Sequence, residues 1–100
     1  MPVMAPIHPG EILREEFLVP LKLSVYALAK SIDVPQTRVA EIVHERRSVT
    51  ADTAIRLGRF LRTSAEFWMN LQARYDLETT LDAKGKEIEA KVKPSNLIAA

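Results

Sequence analysis

Residues 23–50 read LSVYALAKSIDVPQTRVAEIVHERRSVT, and this stretch decides the fold. Val25, Leu28, Ala29 and Ile32 recur at i, i+3, i+4 and i+7, the apolar stripe of a short amphipathic helix. Ser24 stands where an N-cap belongs. Asp33 follows at a turn, where a left-handed backbone is tolerable for Asp. A second helix opens near Pro35, with Val39, Ile42 and Val43 as its buried face. Two helices joined by so short a turn cannot lie alongside each other as a long hairpin. They cross steeply, as in a helix-turn-helix unit, with the small Ala29 at the crossing.

The outward face of the second helix is polar. With Val39 at 0° and about 100° per residue, Ile42 and Val43 flank the core direction at about 300° and 40°. Thr37, His44 and Glu41 then point outward near 160°, 140° and 200°, with Ala40 beside them. Gln36 and Arg38 lie at the helix N-terminus. A major groove admits one helix, and Gln, Thr and Arg can read base edges there. Arg46 and Arg47, just past the helix, are placed for phosphates, which fix register but not sequence. Solvent alone would account for a polar outer face, and Glu41 is repelled by phosphate.

The same helical reading extends in both directions. Upstream, Pro9 suits a first-turn position, Ile12, Leu13, Phe17 and Leu18 follow, and Pro20 is expected to stop that helix. Downstream, Thr50 caps a fourth helix with Ala54, Leu57 and Leu61 inward. Thr63 or Ser64 caps a fifth, AEFWMNLQARYDL, and Thr63-x-x-Glu66 fits a capping box. The tail predicts a marginal helix over about Leu81–Val92, weakened by Gly85 and ended by Pro94. No strand-length alternation and no repeat occurs.

One hundred residues suffice for one modest helical core. There is no cysteine, which excludes disulfides and thiolate metal sites and fits a reducing compartment. MPVMAPIHPG has neither the basic start nor the apolar run of a secretory signal, and no segment approaches the ~20 apolar residues of a membrane span. A cytoplasmic protein is expected. Net charge is only +1, but residues 21–50 carry five cations (Lys22, Lys30, Arg38, Arg46, Arg47) against three acids (Asp33, Glu41, Glu45). Residues 1–20 run the other way, with Glu11, Glu15 and Glu16 around Arg14. His8 and His44 are read as surface or capping residues, since two isolated histidines make no metal site. HERRS begins like a His-Glu-x-x-His zinc motif but has Ser48 where the second His belongs. No nucleophile–base pair and no Gly-rich phosphate loop is present, so no enzyme and no cofactor is expected.

HPGEIL, ALAKSIDVPQTRV, VTADTA and SAEFWMNLQ, within Ile7–Glu78, closely resemble the HigA family of bacterial antitoxins, in the Cro/C1-type (XRE) helix-turn-helix superfamily. Generic phage repressors share the middle of this pattern but not HPGE or EFWMNLQ. The resemblance implies an all-α, five-helix, lambda-repressor-like DNA-binding domain over residues 7–78, preceded by an arm (1–6) and followed by a short tail (79–100). It implies a homodimer on double-stranded operator DNA that represses its own operon. It also implies capture of a HigB-like toxin that cleaves mRNA at the ribosome. A stand-alone repressor of the same fold is the alternative. Carried over by position, base contacts fall on Gln36, Thr37, Arg38 and Glu41, and phosphate contacts on Ser24, Arg46 and Arg47.

Three residues depart from the family pattern, in which Gly is usual: Lys22, Asp33 and Glu45. Glu45 leaves open whether the recognition helix runs on and shifts the arginines. Phe67, Trp68, Leu71 and Tyr75 exceed what one small core needs and are expected at the dimer contact, setting recognition helices ~34 Å apart. Glu11 and Glu15 share a helix face and are expected to meet a cationic toxin, although acids also simply favour a helix N-terminus.

Overall fold

The computed structural model describes residues 5–98, so residues 1–4 of the expected arm and 99–100 of the tail lie outside the described residues. Those described form five helices and no strand. Helix α1 runs as Pro9–Ile12, widens into a π-helix over Leu13–Leu18 and closes as Val19–Leu21. Then come α2 (Val25–Ile32), α3 (Gln36–Val43), α4 (Ala51–Leu61) and α5 (Ala65–Lys91).

Pro20 does not stop α1. Its ring would crowd the carbonyl four residues back, and it has no N–H to donate. A π turn precedes it, in which N–H groups reach back five residues, as Val19 does to Arg14, and this wider turn eases the crowding by the ring. The helix therefore passes through Pro20 and ends at Lys22, whose φ is 53°.

The core is built from the stripes read in the sequence. Leu28, Ala29 and Ile32 of α2, Val39, Ile42 and Val43 of α3, and Ala54 and Leu57 of α4 are buried with Leu13, Leu18, Val49 and Trp68. Trp68 is the largest of them and is 0% exposed within its own chain. Phe17 packs on it at 5.4 Å and Phe67 stands edge-on at 5.0 Å. Its indole N–H donates to the Thr63 hydroxyl at 2.8 Å. Trp68 thus has no surface to offer a second chain, and its expected place at a dimer contact is corrected to the core.

The capping-box reading of Thr63 is out of register by one. Ser64 is the N-cap, its hydroxyl accepting from the Phe67 N–H at 3.0 Å, which frees Thr63 for Trp68. Beyond Leu77 the chain does not break into a separate tail helix. α5 is a single helix of 27 residues from Ala65 to Lys91, about 40 Å long. Pairs four apart, Arg74–Glu78 and Glu87–Lys91, lie along its exposed length, and one Gly costs only ~1 kcal/mol.

Candidate nucleic-acid interface

Helix α3 is fixed at both ends. Ser24 caps α2 by accepting from the Ala27 N–H at 3.0 Å. Asp33 then turns the chain with φ 57° and ψ 53°. Arg56 of α4 reaches into that turn, its Nη1 donating to the carbonyls of Ile32 (2.9 Å) and Asp33 (3.1 Å). At the other end, α3 stops at Val43, and Glu45 takes φ 63°. The Glu45 N–H donates to Ile42 at 2.9 Å and the Arg46 N–H to Glu41 at 2.8 Å, which closes the helix much as a glycine would. Glu45 therefore leaves the helix end where a glycine would put it.

Helix α1 braces the same end. The Arg14 guanidinium donates to the Val43 carbonyl and lies 3.4 Å from the Glu45 carboxylate. Gly10 makes this approach possible, because a Cβ there would sit 1.8 Å from the Ile42 carbonyl oxygen. His8 is buried and caps α1, its Nδ1 accepting from the Gly10 N–H at 2.8 Å. Burial pushes the His8 pKa below 6.5, against the opposing influence of Glu45, Asp76 and the Arg47 backbone. The following loop is held from α5: buried Gln72 accepts from the Val49 N–H at 2.7 Å and donates to Asp76 at 2.9 Å.

On this frame, Gln36 and Thr37 are exposed at the start of α3. Glu41, one turn on, pairs with Arg47 at 2.8 Å, so its charge is offset within the protein. Arg46 is exposed and in no ion pair among the described residues. Arg38 is partly covered and donates to Asp52 at 3.0 Å. Ser24 lies on a different element, at the exposed start of α2.

The other expected residues divide. Leu71 lines a 190 Å³ groove with Ile7 and Ile12 of its own chain, and Tyr75 meets His8 edge-on at 4.8 Å. Phe67 keeps an exposed face. Glu11 is partly buried in the first turn of α1, while Glu15 is exposed beside Arg14 at 3.3 Å.

Sequence reading missed Gly10, Arg14, Asp52, Arg56 and Gln72. Only the Asp52–Arg56 spacing of four was visible as a helix pair. The rest depend on contacts across the fold. The hydrogen bond from Arg56, followed by the charges of Arg56 and Arg38, holds the Asp52 carboxyl below its ordinary range. The whole arrangement presents a polar helix face with cations at one side. Among the described residues no group of three or more potential ligands could hold a metal ion, and no helix is long and apolar enough to cross a membrane.

Comparison with known proteins agrees with this geometry. The Helix-turn-helix family profile matches residues 13–68. The solved Pseudomonas aeruginosa antitoxin HigA with the higBA promoter is 54% identical, with a TM-score of 0.87 over 89% of this chain and 97% of that one. Virulence-associated protein I of Dichelobacter nodosus is 55% identical over 75 residues, 75% of this chain and 69% of that protein. Antitoxin HigA-1 of Vibrio cholerae is 35% identical over 89 residues, 89% of this chain and 83% of that protein.

Proposed function

Because this chain belongs to the HigA antitoxins, a non-enzymatic DNA-binding branch of the helix-turn-helix family, we propose that it is the antitoxin of a type II toxin–antitoxin module. In this reading it binds operator DNA as a homodimer, represses its own operon and neutralises a HigB-like, mRNA-cleaving toxin. The observation that carries the DNA part is α3: Gln36 and Thr37 stand exposed on its first turn, with Arg46 exposed just past its end. Gln36, Thr37, Arg38 and Glu41 face the bases. Ser24, Arg46 and Arg47 hold phosphates, Ser24 aided by the positive end of α2. The Pseudomonas relative, whose structure includes its promoter, supports this assignment.

The dimer rests on α5. Phe67, Leu77, Leu81 and Ile88 are exposed apolar residues of that helix, and at ~100° per residue they fall within an arc of roughly 80°. Leu71 and Tyr75 sit behind this stripe against α1. The toxin contact falls on α1, where Glu11 and Glu15 offer acid to a cationic ribonuclease, on an element distinct from the DNA-facing helix.

The test is co-expression with the product of the gene adjacent to this one. The account predicts that the wild type restores growth and co-purifies with that protein. A Glu11→Lys, Glu15→Lys variant should lose neutralisation and keep operator binding. Full neutralisation by that variant removes α1 from the interface. A neighbouring product that is harmless alone and never co-purifies makes the chain a stand-alone repressor.

A further inference from the structure

We propose that Asp52 is a specificity-determining positioning residue: it aims the Arg38 guanidinium at a guanine edge in the major groove. The inference rests on the reading of α3 as the groove helix.

Asp52 is a poor residue for a face that meets phosphate. Its side chain is 57% exposed at the start of α4, beside the recognition helix, and a carboxylate there repels DNA. Favouring the positive end of α4 explains an acid in that first turn. It does not explain the bond to Arg38. One oxygen, Oδ2, accepts from Arg38 Nη1 at 3.0 Å and from Arg56 Nε at 2.9 Å. Arg56 in turn holds the Ile32 and Asp33 carbonyls of the turn between α2 and α3. Arg38 is therefore tied, through Asp52 and Arg56, to the backbone of the helix-turn-helix itself.

A free arginine must give up the rotamer freedom of a long side chain before it can read a base. Here that ordering is done in the unbound protein. The single bond through Nη1 leaves the Nε–Nη2 edge of Arg38 available, and a guanidinium edge pairs with guanine O6 and N7. Arg38 also lines a 350 Å³ concavity with Arg47, Ser48 and Thr50, beside α3, so the held side chain has open space next to it. The same carboxylate that costs general attraction thus supplies direction.

The two effects have opposite signs, which makes them separable. The full-length chain is used to select its site from random duplexes. Affinities are then measured for that duplex, for its single-base variants and for a scrambled duplex, with the wild type, Asp52→Asn, Arg38→Ala and the double variant. A bidentate guanine contact corresponds to about 5- to 150-fold discrimination. Asp52→Asn is expected to lose about 5-fold or more on the selected duplex. It should leave the scrambled duplex unchanged or bound slightly tighter. Both single variants should flatten preference at the same G·C pair, and the double variant should be no weaker than Arg38→Ala alone. Arg56→Lys, which keeps the charge but not the fork, should flatten that pair partially. Thermal unfolding of Asp52→Asn should stay close to wild type, since the residue is exposed.

Asp52→Asn tightening both duplexes alike would reduce Asp52 to a repelling charge and overturn the proposal. So would equal losses on both duplexes, the signature of a phosphate contact, or additive losses in the double variant. A wild-type chain that enriches no sequence overturns the groove reading itself, a failure visible before any variant is made.

Discussion

Lys22, Asp33, Glu45 and Arg62 have φ of 53°, 57°, 63° and 61°, and each ends one of the first four helices. Left-handed backbone costs a side-chain-bearing residue roughly 1–2 kcal/mol, so every joint is closed at some expense to stability. Gly10 is a different case, because there the absent Cβ admits the Ile42 carbonyl. Gly10→Ala should push α1 off the end of α3 and destabilise by about 2–3 kcal/mol, as overpacking does; chemical denaturation measures it. His8 supplies a pH dependence. Its Nδ1 must stay unprotonated to accept from Gly10, and Tyr75, Glu45, Asp76 and Arg47 are the groups around it. Burial sets its folded pKa below the ordinary 6.5. Its contribution is therefore fully present above pH 6.5 and is lost as pH falls through the folded value. His8→Asn, which keeps a capping oxygen but cannot titrate, should flatten the loss of stability between neutral and mildly acidic pH. An unchanged slope in that variant would assign the pH dependence to other groups.

Local patterns predicted the elements well where the signal was local. The cap at Ser24, the stripe from Val25 to Ile32 and the buried face of α3 all follow from spacing along one helix, and they leave the polar face proposed to meet DNA turned outward. Two boundaries were misread because a weak local rule was given too much weight. Pro20 looked like a stop, yet a π turn accommodates it. In the sequence the fifth helix reads as ending at Leu77 and a separate marginal helix, weakened by Gly85, as starting near Leu81, yet α5 runs through all of them. The braces of the site were illegible for another reason. Arg14 on Val43, Arg56 on Ile32 and Gln72 on Val49 join residues 29, 24 and 23 apart, which no periodicity reports. Gly85 offers the test at this scale. A Cβ there would meet only the Leu81 side chain, at an ordinary 3.6 Å. Gly85→Ala should therefore raise helicity by circular dichroism and stabilise the distal half of α5 by about 0.5–1 kcal/mol. A drop in helicity would contradict a continuous helix there.

At the scale of the whole molecule, a 53 Å long body carries the helix proposed to enter the groove, an acidic first helix and an exposed apolar stripe on α5. The proposed dimer uses that stripe, and Leu77 and Leu81 are 63% and 56% exposed, so changing them spares the core. Leu77→Glu with Leu81→Glu should shift sedimentation toward the monomer and weaken operator binding by losing the linked half-site, with α3 untouched. A wild type that sediments as a DNA-competent monomer would remove the dimer from the account. The central claim is that α3 reads DNA while the arginines beyond it only hold the backbone. Binding of the wild type, Gln36→Ala and Arg46→Ala to the selected and scrambled duplexes across a salt series tests it most directly. Gln36→Ala should cost ~1–3 kcal/mol on the selected duplex and relax base preference. Arg46→Ala should weaken both duplexes alike and reduce the salt slope by about one. Base preference that changes with Arg46→Ala and survives Gln36→Ala would contradict it.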